Sequence, residues 1–301
     1  MNRQSKLKKL KFKCTLGKQA SMTAKANLKN AVSRREMLQL SASSLLTLGL
    51  WPGALRAEGE SQGEDFNFIA VNDFHYVDEK CGAWLQTAIA KMKECSPKPE
   101  LCLMSGDYSD NGTVAQLAAT RDVMKSLGIP TCGVIGNHDW LNNKDRKPYE
   151  EIFPDRLNYQ FEHRGWQFIA LDTTEGLKGM QTQISKETLR WVDDNLPKVE
   201  RKKPMILLSH FQLGPNIRNR PLNTDDLLER FRDFNLRAAF CGHFHGFTES
   251  KLGEAVFTTD KCCSLKRANH DGTKGKGFFF CQIKNGAISR TFIEVPVSAE
   301  N

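Results

Sequence analysis

Seven side chains that can bind a metal ion follow apolar segments of this 301-residue chain. They are two carboxylates, one amide and four imidazoles: Asp73, His75, Asp107, Asn137, His210, His243 and His245. Imidazole nitrogens combined with carboxylate and amide oxygens suit transition ions such as Mn, Fe or Zn, rather than Mg or Ca. A single catalytic zinc takes about three protein ligands, so seven donors predict two ions that share one carboxylate, that of Asp107.

Alternating strands and helices would bring these scattered residues together. Amphipathic spacing predicts helices over residues 82–95, 113–128, 185–196 and 223–235, and apolar runs predict strands over residues 66–73, 101–107, 129–137, 204–210 and 236–243. A hairpin is expected at residues 157–172, and Asn285-Gly286 is typical of a tight turn. The order predicts one α/β domain with a second, more antiparallel sheet.

The polar residues lie where the predicted strands end. Strand ends that face one way in an open α/β sheet share a crevice, and the seven side chains would meet there. One histidine at a strand tip is most often an ordinary hydrogen-bonded residue. Five tips that all carry Asp, Asn or His favour a metal site.

The basic charge of the chain is confined to its amino-terminal segment. The formal net charge is +8, yet residues 1–57 hold twelve Lys and Arg against one acid, Glu36, so the remainder is slightly acidic. This distribution gives no support for a nucleic-acid partner, and none is expected.

The same segment resembles a twin-arginine export signal. Arg34 and Arg35 precede a short apolar run over residues 40–51, and Ala57 offers a small residue for cleavage. The run is shorter than the about 20 residues that a membrane span needs. The alternative is an ordinary basic amphipathic segment.

We therefore expect a signal peptide over residues 1–57, a linker over 58–65 and the mature domain over 66–297. The twin-arginine export machinery would be a partner, and the protein would reach the periplasm or cell envelope. No stable membrane association is expected after cleavage.

Nine cysteines would suggest disulfides in an exported chain. Four of them lie in apolar strand-like runs, where Cys behaves as a small hydrophobe: Cys102, Cys132, Cys241 and Cys281. Four others are candidates for oxidation that spacing alone cannot pair: Cys81, Cys95, Cys262 and Cys263.

The order of the polar segments resembles that of the calcineurin-like metallophosphoesterases. The matching motifs are Asp73-Phe74-His75, Gly106 to Gly112, Gly136 to Asp139, His210 and Gly242 to His245. Five spaced motifs in this order are far more specific than any single one. The resemblance implies a four-layer αββα sandwich of two mixed β-sheets flanked by helices, with the phosphoesterase domain over residues 66–297.

The resemblance also implies a role for each site residue. The first ion would bind Asp73, His75, Asp107 and His245, and the second would bind Asp107, Asn137, His210 and His243. His138 would contact the substrate together with Asn137 and assist the leaving group, and Asp139 would orient His138 by a hydrogen bond. A hydroxide held between the two ions would attack phosphorus in line with the departing oxygen.

One position separates this chain from the purple acid phosphatases, which share the scaffold. Those enzymes place a tyrosine ligand three positions after the aspartate of the second motif, where this chain has Asp110. Tyr108 is adjacent to Asp107 and should point to the other side of the strand. An iron–tyrosinate site is therefore not expected.

The expected substrate is a small phosphate ester, with diesters slightly favoured because the motifs are similar to those of class III cyclic-nucleotide phosphodiesterases. The alternative is a phosphomonoesterase or nucleotidase that uses the same site. A nuclease is disfavoured by the acidic domain, and a non-catalytic binding protein by the complete ligand set. Two loops are either substrate-facing or solvated surface, and their candidate contacts are Arg218, Arg220, Lys266 and Arg267.

Overall fold

The computed structural model describes residues 63–296. The predicted signal peptide and most of the predicted linker lie outside these residues, so their boundaries stay predictions. Within the described residues, every helix is too short or too polar to cross a bilayer.

Strands and helices alternate through most of the described chain. In order they are β1 (Phe66–Val71), α1 (Glu79–Lys93), β2 (Leu101–Met104), α2 (Val114–Lys125), β3 (Thr131–Gly133), α3 (Lys147–Ile152), β4 (Tyr159–His163), β5 (Trp166–Leu171), α4 (Lys186–Asn195), β6 (Met205–Ser209), α5 (Thr224–Arg230), β7 (Leu236–Cys241), β8 (Thr248–Leu252), β9 (Ala255–Thr259), β10 (Gly277–Lys284) and β11 (Ala287–Glu294). Short 3₁₀ turns cover Asn137–Asp139 and Leu196–Lys198.

The strands form two mixed sheets. The first has the order β11-β10-β1-β2-β3, with β1, β2 and β3 parallel and β10 antiparallel to both β1 and β11. The second has the order β4-β5-β6-β7-β9-β8, with four parallel strands between antiparallel edge strands. Asn285 and Gly286 both have positive φ in the β10–β11 turn, which confirms the predicted tight hairpin.

Three apolar cores hold four layers together. Alternate residues of β1 face different cores: Phe68 and Ala70 pack between the two sheets, whereas Ile69 packs against α1 and α2. The outer face of the second sheet packs against α4 and α5 through residues such as Val192 and Leu227. The expected αββα sandwich is therefore confirmed.

Polar caps explain where the helices begin. Asp78, Thr113 and Ser185 accept backbone hydrogen bonds in the first turns of α1, α2 and α4. The helix predicted over residues 223–235 ends earlier, at Arg230, because residues 231–234 continue in turns whose N–H groups reach back three residues. Asn223 precedes α5 and accepts instead from the Ile184 N–H.

The cysteines of the described residues are free thiols. The four that were assigned to strand-like runs are buried in or beside β2, β3, β7 and β10, as predicted.

Candidate metal centre

The predicted ligands meet at the carboxyl ends of the parallel strands. By strand they are Asp73 and His75 after β1, Asp107 after β2, Asn137 after β3, His210 after β6, and His243 and His245 after β7. All except His243 are buried. The structure thus gathers the whole set that the sequence singled out.

A first group surrounds one point at the end of β1. The ligand atoms of Asp73, His75, Asp107 and His245 all lie within 4.8 Å of one another. His75 Nε2 is 3.3 Å from Asp107 Oδ2 and 3.0 Å from His245 Nε2. His245 Nε2 is in turn 3.3 Å from Asp73 Oδ1. This set of two carboxylates and two imidazoles suits one transition ion.

A second group lies beside it. Asn137 Oδ1 is 2.9 Å from His210 Nε2 and 3.1 Å from His243 Nδ1. Asp107 Oδ1 lies 3.5 Å from His210 Nε2, while its other oxygen faces His75. Asp107 therefore stands between the two groups, where a shared ligand would be.

Each of the four histidines has one ring nitrogen against an oxygen acceptor. The pairs are His75 Nδ1 with Asp110 Oδ1 at 3.1 Å, His210 Nδ1 with the Ser105 carbonyl at 2.8 Å, His245 Nδ1 with the Ala268 carbonyl at 3.2 Å, and His243 Nε2 with the Gly179 carbonyl at 2.8 Å. These oxygens only accept, so the paired nitrogen carries the proton. The other nitrogen of each ring faces the cluster, as in metal-bound histidines.

Five of the seven residues adopt a left-handed backbone conformation that non-glycine residues seldom take. The φ angles are +55° for Asp73, +48° for His75, +55° for Asp107, +67° for His243 and +48° for His245. Each such residue costs on the order of 1–3 kcal/mol and persists where the surrounding structure enforces it, most often at functional sites. Seven other non-glycine residues of the described chain also have positive φ, but five of the twelve belong to the predicted ligand set.

Two glycines let the motifs approach one another. A Cβ at position 136 would lie 2.1 Å from Asp107 Oδ1, and one at position 106 would lie 2.7 Å from His210 Nδ1. Any side chain on Gly136 or Gly106 would therefore push the groups apart.

The charges in the cluster depend on burial and on mutual contact. Burial lowers the pKa of His243 to about 4, and the nearby His210 adds to the effect. Burial also opposes a charge on His245, but Asp73 outweighs it and raises the pKa of His245 to about 11. Burial likewise opposes ionisation of Asp73, yet His245 holds the pKa of Asp73 well below its usual range. A metal ion in the first group would therefore displace a proton from His245.

His138 lies at the edge of the cluster, half-buried, with its ring 4.7 Å from that of His75. Its Nδ1 is 3.1 Å from the Asp110 carbonyl, so Nδ1 donates and Nε2 is left for a substrate. Its backbone N–H also donates to Asp107 Oδ1 at 2.8 Å. The His138 ring is therefore oriented by backbone contacts.

The expected hydrogen bond between Asp139 and the His138 ring is wrong. Asp139 is fully buried, and its Oδ1 accepts from the backbone N–H and the hydroxyl of Ser109 at 2.8 and 3.1 Å. Its Oδ2 accepts from the Gly136 N–H at 2.9 Å. Asp139 thus joins the second motif to the third through Ser109 and Gly136, which is a structural role.

Tyr108 is directed away from the cluster, as predicted. It is buried in the core outside the first sheet, where its ring centroid lies 4.7 Å from that of Phe153. The side chain at the position of the purple phosphatase ligand, Asp110, contacts His75 instead.

Sequence reasoning missed the contact between Arg267 and Asp110. Arg267 was expected either to face the substrate or to be solvated, but its Nε donates to Asp110 Oδ1 at 2.8 Å and its second guanidinium nitrogen contacts the same oxygen. Arg267 therefore reaches the first group through Asp110 and His75. The second aspartate of the G-D-x-x-D-x-G motif was the signal that could have suggested a partner.

Two of the other candidate cations are also paired with acids, whereas Arg218 is exposed and makes no such pair within the described residues. Lys266 is 3.3 Å from Asp78, and Arg220 is 2.7 Å from Asp225. The His270 ring, in contrast, stacks on the His245 ring with the centroids 4.7 Å apart.

Comparison with known proteins identifies the class. The calcineurin-like phosphoesterase family matches residues 66–247, which contain all seven ligands. The chain belongs to the calcineurin-like phosphoesterases, which use a dinuclear metal site, and it is a hydrolase that acts on phosphate esters.

The curated relatives include two kinds of phosphodiesterase. A protein of Arcobacter nitrofigilis named "Probable glycerophosphodiester phosphodiesterase GpdQ" is 29% identical over 188 residues, which are 58% of this chain and 67% of the relative. A 3',5'-cyclic-nucleotide phosphodiesterase of a Nostoc strain is 32% identical over 129 residues, which are 42% of this chain and 46% of the relative. The match thus spans less than half of the second relative.

Solved structures share the fold at low identity. A purple acid phosphatase from yellow lupin seeds has a TM-score of 0.55 and 13% identity, covering 77% of this chain and 52% of its own. GAP50 of Plasmodium has a TM-score of 0.57 and 13% identity, covering 77% of this chain and 85% of its own. These similarities support the architecture alone.

Proposed function

We propose that the protein hydrolyses small phosphodiesters at a site for two transition ions, Mn, Fe or Zn. The supporting observation is the set of four histidines that each direct one nitrogen to the cluster and fix the other on an oxygen. The first ion would be held by Asp73, His75, Asp107 and His245, and the second by Asp107, Asn137, His210 and His243. When bound, the ions would activate water and withdraw charge from the phosphate.

His138 is the residue that we assign to the leaving group. The Asp110 carbonyl accepts from Nδ1, so the protonated ring presents Nε2–H to the departing oxygen. Asn137 directs Oδ1 to the second group, and its Nδ2 lies 3.5 Å from the Leu177 carbonyl at the rim. Asn137 Nδ2 is therefore the group that we assign to a phosphoryl oxygen.

A diester is favoured over a monoester by charge. A monoester dianion carries one more negative charge than a diester and gains more from unpaired cations near the phosphate. Three of the four candidate cations, Lys266, Arg220 and Arg267, are instead paired with carboxylates, and the fourth, Arg218, is exposed. The names of the Arcobacter and Nostoc relatives support the same preference.

The test is a substrate panel on enzyme whose metal content has been counted. The panel contains bis-p-nitrophenyl phosphate, a glycerophosphodiester, cyclic nucleotides and p-nitrophenyl phosphate. We expect a higher kcat/KM for diesters, and no turnover of any substrate by the Asp107→Asn control. A higher kcat/KM for the monoester would replace the proposal with a phosphomonoesterase or nucleotidase. Fully loaded enzyme that hydrolyses none of them would contradict a catalytic role.

We also propose export through the twin-arginine machinery to the periplasm or cell envelope, supported by Arg34-Arg35 and the apolar run that follows them. Fractionation of cells that express the full chain tests this. The wild type should appear outside the cytoplasm in a shortened form, whereas Arg34→Lys/Arg35→Lys should stay inside at full length. Equal cytosolic retention of both would contradict export.

A further inference from the structure

A lysine and a cysteine are buried against each other at the base of loop 261–276, which links β9 to β10. Lys276 Nζ lies 3.0 Å from Cys262 Sγ. Lys276 is only 8% exposed, and Cys262 is fully buried. Neither residue is a predicted metal ligand, although the Cys262 side chain contacts His245 of the first group, and the proposed hydrolysis does not account for the contact between Cys262 and Lys276.

The surroundings of Lys276 are unusual for a buried amine. Besides the thiol, Nζ contacts the Arg267 carbonyl and Asn269 Oδ1, the latter at 3.3 Å. Within residues 63–296 these contacts include no carboxylate. A buried ammonium group is costly unless an opposite charge pairs with it. Among these contacts the Cys262 sulfur is therefore the group that can carry a compensating negative charge, as a thiolate, and the thiolate is also the form of cysteine that is oxidised.

One amide holds both reactive atoms. Asn269 Oδ1 is 3.3 Å from Lys276 Nζ and 3.2 Å from Cys262 Sγ, and it also accepts from the Cys262 N–H at 3.1 Å. The amine and the thiol are thus kept side by side, with little freedom left to lose in a reaction between them.

We propose that Cys262 and Lys276 form a covalent N–O–S bridge when the protein meets dioxygen. One atom of dioxygen is inserted between Nζ and Sγ, so an N–O and an O–S bond form. The thiol loses its S–H hydrogen and the amine loses one N–H hydrogen, and both leave with the other oxygen atom as water. The sulfur–nitrogen pair is oxidised, and both atoms of dioxygen are reduced.

The bridge would fix the loop that supports the first group of ligands. Loop 261–276 carries Arg267, which contacts Asp110, and the Ala268 carbonyl, which accepts from His245. A covalent closure between Cys262 and Lys276 restricts the conformations open to these residues. The bridge is therefore a covalent modification that restricts the conformations of loop 261–276.

The test is peptide mass spectrometry of the full chain after exposure to air and, separately, after reduction. We expect air-exposed protein to give a cross-linked peptide that joins Cys262 to Lys276. Its mass should exceed the sum of the two peptides by one oxygen atom less two hydrogen atoms. Reduction should release both peptides. Lys276→Arg, which keeps the charge, should abolish the cross-link, and Cys263→Ser, a change at the adjacent buried thiol, should preserve it.

Measurements on the wild type alone decide the question, even where a variant folds poorly. Cys262 that stays fully alkylatable after denaturation without reductant would overturn the bridge. Cys262 found as a sulfenic or sulfinic acid, beside an unmodified Lys276, would overturn it as well. Neither result depends on the phosphodiesterase proposal, because neither measures turnover.

Discussion

The two halves of the metal centre are built differently. In the first group all four residues are buried, and Asp73, His75, Asp107 and His245 all have positive φ. In the second group Asn137 and His210 are buried without that strain, and His243 is partly exposed and strained. The first half is thus more enclosed and stores more backbone energy, at about 1–3 kcal/mol for each strained residue.

The first half of the metal centre also has more supporting contacts around it than the second half. The first half is supported by Asp110, Arg267 and the Ala268 carbonyl, which join the second motif to loop 261–276. On the exposed side of the second half, His243 is held by the carbonyl of Gly179, in the segment between β5 and α4. We infer that the first half binds its ion more tightly, so dialysis against a chelator should remove the second ion first.

The most severe test removes the residue that belongs to both halves. Asp107 directs Oδ2 to His75 and Oδ1 to His210, so Asp107→Asn should deprive both ions of a charged ligand. Removal of one partner from a buried charged contact costs about 3–5 kcal/mol, which is more than about 10²-fold in affinity. Metal counting should find that Asp107→Asn has lost both ions. The control, Asp122→Asn on the exposed face of α2, should retain both. Loss of one ion alone would show that Asp107 is not shared.

His138→Ala should separate chemistry from metal binding. His138 is not an assigned ligand, and its backbone N–H to Asp107 is retained in the alanine variant, so both ions should remain while the rate falls by about 10²–10⁴-fold. The loss should be largest for an alkyl leaving group and smaller for p-nitrophenolate, which needs less protonation. His163→Ala is the matched control, because His163 contacts Glu100 outside the cluster. Unchanged turnover of an alkyl diester would contradict the role of His138 as proton donor to the leaving group.

Arg267→Ala should weaken the first half selectively. Its guanidinium holds the Asp110 carboxylate that fixes His75, and loss of such a supporting contact costs about 10–100-fold in metal affinity. The first ion should bind more weakly with KM unchanged at saturating metal, and Arg267→Lys should restore part of the affinity. Lys266→Ala, which removes the neighbouring cation, is the control. A raised KM with normal metal affinity would indicate that Arg267 contacts the substrate.

The last test concerns stability and not metal binding or turnover, and it addresses a carboxyl group beneath the first half. Asn72 Nδ2 lies 3.3 Å from the Asp260 carbonyl, and Asp260 Oδ2 is buried without a hydrogen-bond partner. Burial raises the pKa of Asp260 well above its usual value. The folded state then keeps a proton that the unfolded state releases above about pH 3.9.

Stability should therefore fall as pH rises from that value, by about 1.4 kcal/mol per pH unit until the folded pKa is reached. Asp260→Asn removes this dependence, so its Tm should exceed that of the wild type increasingly as pH rises from 4 to 8. Asp271→Asn should instead lose stability at neutral pH: burial opposes ionisation of Asp271, but its contacts with Thr273 and Phe247 together outweigh burial and lower the pKa of Asp271. A Tm difference for Asp260→Asn that is constant with pH would contradict the raised pKa of Asp260.

The sequence predicted the regular parts of the molecule well because strands and helices repeat. Continuous apolar runs marked β1, β2 and β6, and the polar residues after them were the ligands. The turn of Asn285-Gly286 was also readable, since few residue pairs adopt two positive φ angles. The end of α5 could not be predicted from the sequence, because tertiary contacts determine the turns after Arg230.

The contacts between distant loops were beyond sequence reasoning. Asp110 and Arg267 are 157 positions apart, and no periodic pattern connects them. The Asp139 error has a similar origin, since its partner Ser109 lies in another motif, and adjacency to His138 in sequence suggested the wrong neighbour. Irregular loops are placed by packing, and packing requires the whole fold.

The anchors of the four imidazoles differ in how they tolerate mutation. Three of them are main-chain carbonyls, at Ser105, Ala268 and Gly179, so exchange of those side chains leaves the acceptor itself in place. Only His75 depends on a side chain, that of Asp110. A single substitution at Asp110 can therefore remove the acceptor of the His75 ring, whereas the acceptors of the other three rings belong to the polypeptide backbone.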